Sequence, residues 1–192
     1  MAAPEPEGET TSEPGTAPQV SGGGGATTIT LNAANADVPD QRAAFRLLSA
    51  VERYFAQTEP ASLALLLTTQ SKLLIGRPLV EALDALIESS AGYASITFGT
   101  EHGFTIPMAR MRELSNNANI PTTEDLTSPQ EGDPEPPEIL SRDHAGIVLK
   151  QIEDFFRQRE PASPIPILLF KARNFLTKDF HSLVRELLPP SS

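Results

Sequence analysis

The stretch YFAQTEPASLALLLTTQSK, from Tyr54 to Lys72, returns 101 positions later as FFRQREPASPIPILLFKAR, from Phe155 to Arg173. At that offset Leu48 falls on Leu149, Val51 on Ile152, Phe55 on Phe156, Glu59 on Glu160, Leu67 on Leu168 and Leu86 on Leu187. Apolar positions coincide far more often than charged ones, as they do when one helical unit is used twice. Two copies make a duplication and not a solenoid, which needs about three stacked units.

Each copy has its own punctuation. From Gln41 onward Phe45, Leu48, Val51, Tyr54 and Phe55 recur at spacings of three and four, the period of one face of a helix. Asp40 is placed to cap its start, and Pro60 disfavours helical geometry at Glu59, which ends it. Ser62 caps a second helix, Leu63 to Ile75, which stops at Gly76. A third follows Pro78, with Leu79, Leu83, Leu86 and Ile87 on its inner face. In the second copy Ser141 caps a helix bearing Ile147 or Val148, Leu149, Ile152, Phe155 and Phe156, and Pro161 ends it. Ser163 followed by Pro164 opens the next helix, because the hydroxyl can accept an orphan backbone N–H and proline loses no bond in a first turn. That helix carries Ile167, Leu168, Phe170, Ala172, Phe175 and Leu176. Asp179 caps the last one, with Phe180, Leu183, Val184, Leu187 and Leu188, before Pro189-Pro190. Three short helices per copy predict an antiparallel three-helix bundle.

Between the copies the period changes. Ile96 and Phe98 alternate, Gly99 to Gly103 read as a turn, and Phe104 and Ile106 resume the alternation, which predicts a β-hairpin with a five-residue loop. Pro107 opens a short helix carrying Met108, Met111 and Leu114. An isolated hairpin is marginal in water, so this one is expected to pack on the first helical unit. The fold class is therefore mainly α: two homologous three-helix units with one hairpin after the first. The division is residues 1–39 as a disordered acidic Pro/Gly-rich linker, 40–118 as helical unit plus hairpin, 119–140 as an acidic linker, and 141–190 as a C-terminal helical oligomerisation unit.

The net charge of −10 belongs to the linkers: residues 1–40 carry −6, 121–140 another −6, 41–120 zero and 141–192 +2. Acidic, Pro-rich tracts with few aromatics bury too little apolar surface to offset their ordering entropy. Neither helical unit offers the Lys/Arg stripe that phosphate binding requires, which argues against nucleic acid. The absence of cysteine excludes disulfides and thiolate chemistry and fits a reducing compartment. No window approaches the roughly 20 apolar residues of a bilayer span, and MAAPEPEGET lacks the basic and apolar regions of a signal peptide. A soluble cytoplasmic protein without membrane insertion is expected.

Little in the sequence points to chemistry. SGGGGATT at 21–28 lacks the following Lys-Ser/Thr pair and helix of a phosphate loop, and reads as flexible linker. TITLNA at 28–33 is a candidate strand. His102, His144 and His181 have no second ligand at a metal-binding spacing and are read as solvated surface residues, so no metal or cofactor is expected. Glu59 and Glu160, each beside a proline at an interhelical corner, are the only candidates for acid–base work. Both stand just ahead of a helix N-terminus, where a carboxylate is favoured for capping alone, and neither has a nucleophile or His partner. The balance is against an enzyme.

What remains is surplus apolar surface. A unit of about 47 residues buries only some 60% of its unfolded surface. In the second unit the Phe pair and ILLF are apolar on more than one helical face, so residues 142–188 are expected to self-associate or to pack on the first unit. The residues assigned to protein interaction are Phe155, Phe156, Glu160, Pro161, Leu168, Phe170, Phe175, Phe180 and Leu187.

Residues 142–190 resemble the C-terminal helical region of the TssA (ImpA-type) proteins of bacterial type VI secretion systems, whose form is EPSSPxPLLLxRAxxLxxxDFxxxxxxLxP. Glu160, Pro161, Ser163, Pro164, Pro166, Leu168, Leu169, Ala172, Arg173, Asp179, Phe180, Leu187 and Pro189 stand at the matching positions. The first copy departs from this form, with Leu63 and Leu65 in place of the prolines and Pro78-Leu79 in place of Asp-Phe. ITFGTEHGFTIPMARMREL is also similar to a segment of some members. The resemblance implies a non-enzymatic assembly factor that forms ring-like homo-oligomers through its C-terminal region. It also implies partners among baseplate, tube and sheath components, whose contractile tail such proteins prime or extend. Members usually carry a larger N-terminal domain, so the chain is expected to be either a C-terminal fragment or a short variant. The alternatives are a helical adaptor binding a single partner protein, and an enzyme using Glu59 or Glu160.

Overall fold

The computed structural model describes residues 37–99, 103–121, 123–128 and 130–188. The 21–28 glycine tract, the candidate strand at 28–33, His102 and Pro189-Pro190 lie outside them. Among the described residues the chain is helical apart from one two-stranded antiparallel sheet.

The first unit begins with α1 (Gln41–Thr58) and α2 (Leu63–Leu74). Asp40 caps α1, accepting the Ala43 N–H at 2.7 Å, and Glu59 closes it through its own N–H on the Phe55 carbonyl at 2.8 Å. Ser62 accepts the Ala64 N–H at the start of α2. Gly76, at φ 72°, takes the left-handed conformation that turns the chain out of that helix. The second unit repeats the plan with α7 (Arg142–Arg159), capped by Ser141 on the His144 N–H, and α8 (Ile165–Phe175). The α8 helix starts one residue later than its proline pattern implies, and the Ser163 hydroxyl accepts the Ile165 N–H.

These four helices form one core. Leu48, Val51 and Phe55 of α1 are wholly enclosed together with Leu149, Ile152 and Phe156 of α7 and Leu169 and Ala172 of α8. The two helical hairpins lie face to face, α2 against α8 and α1 against α7. Each unit covers its apolar face with the other, which is how a unit too small to close its own core gains shelter.

Both third helices are present, but neither closes a bundle with the two before it. In the first unit α3 (Leu79–Leu86) runs into α4 (Glu88–Ala91) and packs beside α5 (Met108–Asn117). A small second core forms there from Val80, Ala91 and Met108, flanked by Leu83, Ala94 and Met111. Of the inner face expected for α3 only Leu83 packs on this core: Val80 and Ala82 are buried, whereas Leu79, Leu86 and Ile87 are exposed. In the second unit α9 (Phe180–Leu187), capped by Asp179 on the Ser182 N–H at 2.8 Å, buries none of its residues. The opposing hairpin offers far more apolar area than an eight-residue helix, so it takes the inner faces and displaces the third helices.

Strands β1 (Ser95–Phe98) and β2 (Phe104–Pro107) pair Ile96 with Ile106 and Phe98 with Phe104, whose rings stack at 4.6 Å. A Cβ on Gly103 would stand 1.7 Å from the Phe98 carbonyl oxygen, so the turn requires glycine there. The hairpin does not pack on the four-helix core. It leans on α5, and neither strand has a buried residue.

The acidic segment expected to be a free linker is partly docked. Its helix α6 (Thr123–Thr127) sets Leu126 against the core, and Ile139 is buried in it. Between those anchors Asp133 pairs with Arg46 at 2.7 Å, and Arg42 donates to the Ser128 carbonyl at 2.6 Å and to that of Asp125. Two apolar anchors and two arginines on α1 hold what composition alone leaves in solvent.

Candidate interaction surfaces

The boundary between the two units is built from equivalent residues. Arg142, the first residue of α7, pairs with Glu59 at the end of α1, at 2.8 Å. Gln41, the first residue of α1, donates to Glu160 at the end of α7. Because Gln41 and Arg142, and Glu59 and Glu160, are 101 positions apart, the two clamps are one contact made twice about a pseudo-two-fold axis. The carboxylates read as helix caps, or as candidate acids, thus tie one unit to the other.

The same symmetry runs inside each unit. Glu153 of α7 is 2% exposed and receives Arg157 from its own helix and Arg173 from α8, each guanidinium engaging one carboxylate oxygen through two N–H groups at 2.7–3.0 Å. In the first unit Glu52 takes the Lys72 ammonium and the Thr69 hydroxyl, the latter at 2.7 Å. Both acid–base pairs span 20 residues and bind the first helix of a unit to its second. Sequence reasoning missed them, since a charge in an amphipathic helix reads as solvated. The signal was available, because Glu52 and Lys72 fall on Glu153 and Arg173 at the repeat offset. The aromatic pairs are also equivalent, Tyr54–Phe55 and Phe155–Phe156 meeting edge to face at 5.2 and 5.1 Å.

The residues assigned to protein interaction divide accordingly. Phe156 is wholly enclosed and Phe175 is buried, while Phe155 and Leu168 pack against the core. Phe156, Phe155 and Leu168 belong to the core shared by the two units, whereas Phe175 is covered within its own unit, beside Lys171 and Lys178. Glu160 serves the cross-unit clamp, and Pro161 is an exposed corner. Phe170, Phe180 and Leu187 are free on the surface, Phe180 at 81% exposure. The α9 helix carries Phe180, Leu183, Val184 and Leu187 along one stripe. It is fastened to the rest of its unit through Glu186, which meets both Lys171 and Lys178. Exposed apolar residues also recur at the repeat offset: Leu66 with Ile167, Leu79 with Phe180, Leu86 with Leu187 and Ile87 with Leu188. A further exposed set lies on the hairpin, at Ile96, Phe98 and Phe104.

His144, expected in solvent, is 2% exposed, and its Nδ1 accepts the Leu140 N–H at 3.3 Å. It stands where α7 starts, and the turn of α7 that carries it faces the core beside Ala145. His181 is exposed. A cleft of about 500 Å³ is lined by Arg142, Lys150 and Arg173, but each cation already has its carboxylate, Glu59, Asp154 and Glu153 respectively. Among the described residues no group of three or more His, Cys, Asp or Glu is placed to hold a metal ion, and no helix is long and apolar enough to cross a membrane. Two carboxyls are held below the usual carboxylate range: Asp133 by the Gln130 N–H and then Arg46, and Asp179 by the Ser182 N–H of the helix it caps.

No protein-family model matches the chain, and no solved structure does. Over 52 residues, 27% of its length, the chain is 36% identical to the type VI secretion system component TssA1 of Pseudomonas aeruginosa. The match spans 15% of that protein's length. The chain therefore shows, over about a quarter of its residues, a TssA-like similarity to a type VI secretion component.

Proposed function

We propose that this protein is a non-enzymatic scaffold of type VI secretion assembly, and that residues 141–190 correspond to the C-terminal region of TssA proteins. In this reading it works in the cytoplasm as a homo-oligomer, ring-like in form, and contacts baseplate and sheath or tube components as the contractile tail is built. The observation that carries the reading is the stretch shared with TssA1. The amphipathic α9 helix supports it, because it leaves Phe180 and Leu187 exposed, and exposed apolar side chains of this kind are what an assembly contact uses.

The test is the double variant Phe180→Asp/Leu187→Asp, compared with the parent by light scattering after size exclusion and by co-precipitation with tail sheath protein. Both changes fall on exposed side chains, so helical content should hold. Mass should drop to that of one chain, and sheath capture should fall at least tenfold. Unchanged mass and capture would place the assembly contact elsewhere. A second reading, an adaptor that binds one partner protein, draws on the exposed hairpin face at Ile96, Phe98 and Phe104. It predicts a monomeric parent whose capture survives the α9 changes and is lost with Phe98→Asp.

A further inference from the structure

We infer that the cleft between α7 and α8 is the seat of the chain's own residues 28–33, which lie on the second unit as residues 123–139 lie on the first. This docking is independent of the secretion reading. The pseudo-two-fold relation of the clamps continues into the segment ahead of each unit. Ile139, two residues before the Ser141 cap, is buried in the shared core, and Val38, two residues before the Asp40 cap and 101 positions earlier, packs against it. Each stands in a groove along a helix of the opposite unit, and the two grooves have equivalent walls: Ala50, Tyr54 and Gln57 beside Ile139, and Gln151, Phe155 and Gln158 beside Val38. Upstream of Ile139 the chain follows α1 to the end of α2. Asp133 meets Arg46, the Asp125 and Ser128 carbonyls meet Arg42, and Leu126 stands over Gly76. Among the described residues the same path on the second unit is an open cleft of about 500 Å³. It adjoins the Val38 groove at Gln151, which lines both, and runs to Gly146, Ile147 and Leu176. Gly146 stands where the first unit has Phe45, whose ring packs against the core below Lys72, so the volume of that ring is missing from the second unit.

Charge selects the occupant. Residues 123–133 carry four acids and no base, and they face Arg42 and Arg46. On the second unit those two positions are Asp143 and Ile147. The cations on the cleft's rim, Arg142, Lys150 and Arg173, are already paired with Glu59, Asp154 and Glu153. An acidic strap finds no unpaired cation among them, whereas an uncharged strap with apolar side chains covers Ile147 and Leu176 and removes their surface from water. Residues 22–36 carry no charge, and their large apolar side chains are Ile29 and Leu31. These stand nine and seven residues before Val38, a reach of about 30 and 23 Å in extended chain, and the cleft begins at Val38's own neighbour Gln151. The two units correspond in the path of the strap and not in its register, since the repeat offset places Gly25 at Leu126. Tethering favours this occupant over any free one, because a linked segment is present at high effective concentration.

The test uses the full chain, which has no cysteine of its own, so two engineered cysteines report on a single proximity. Thr30→Cys is paired with Lys150→Cys on one rim of the cleft or with Thr177→Cys on the other, leaving Ile29, Leu31 and Ile147 in place. Under mild oxidation at low chain concentration, one or both pairs should close a disulfide within one chain at least tenfold faster than Thr30→Cys with Ile167→Cys. Ile167 is exposed at the other end of α8 and serves as the control. Adding Leu31→Asp, or Ile147→Asp at its exposed position, should return the rate to that of the control. Mass spectrometry under denaturing conditions reads both the rate and the product. Rates no faster than the control for either rim overturn the inference, as does fast closure indifferent to both aspartate changes. So does a disulfide that joins two chains in place of closing one, which would give the cleft to a second copy.

Discussion

At the residue scale the most consequential side chain is one that helical periodicity assigns to solvent. Glu153 lies between two arginines with almost no access to water, and removing one partner of such a cluster leaves charge uncompensated. Glu153→Ala should lower unfolding free energy by about 3 kcal/mol, short of the extreme because both arginines still reach solvent. The equivalent Glu52→Ala should cost about 1 kcal/mol, since Lys72 can turn to water. Urea denaturation followed by circular dichroism compares the two, and equal losses would mean that burial of Glu153 adds nothing. Phe156 behaves differently from a surface contact residue. Phe156→Ala should cost about 4 kcal/mol through transfer and cavity terms, so loss of oligomer in a Phe156 variant reports unfolding before it reports an interface.

Among the elements, the helices were readable because their boundaries are local chemistry. Asp40, Ser62, Ser141 and Asp179 all accept the backbone N–H groups that their positions imply. The docked acidic segment was not readable, because what holds it is remote in sequence: Asp133 depends on Arg46 and Arg42. The folded-state pKa of Asp133 is depressed, chiefly by the Gln130 N–H, so its contribution is present above the unfolded carboxylate range and is lost as pH falls through the lowered value. Cleavage of residues 128–133 by an acid-active protease should therefore accelerate as pH drops below the ordinary carboxylate range. Asp133→Asn should cleave fast already above that range and lose that pH dependence. A wild-type rate indifferent to acid would disconnect Asp133 from docking.

For the whole molecule, the duplication produces an internal pseudo-dimer instead of two modules on a string. A protease cut at a site engineered near Pro121 should leave fragments that coelute on size exclusion, because they share the core of Phe55, Phe156 and Leu169. Separate elution would mean that the two units stand independently. This internal closure also limits where an external partner can bind. The apolar faces of α1 and α7 are taken, leaving α9, the exposed positions of α2 and α8, and the hairpin.

The sequence by itself determined the duplicated unit, the helix limits and the hairpin with its five-residue turn. The duplication shows as recurrence at one fixed offset, and the others depend on residues within a few positions of one another, where periodicity and caps act. Tertiary structure decided which apolar face is inside. Val80 or Leu79, Phe156 or Phe180, and the fate of His144 and Glu153 depend on what is packed opposite, and that was settled when one unit became the lid of the other. The physical reason is that burial is non-directional: an amphipathic pattern shows that a face seeks cover, while only the assembled chain shows what covers it.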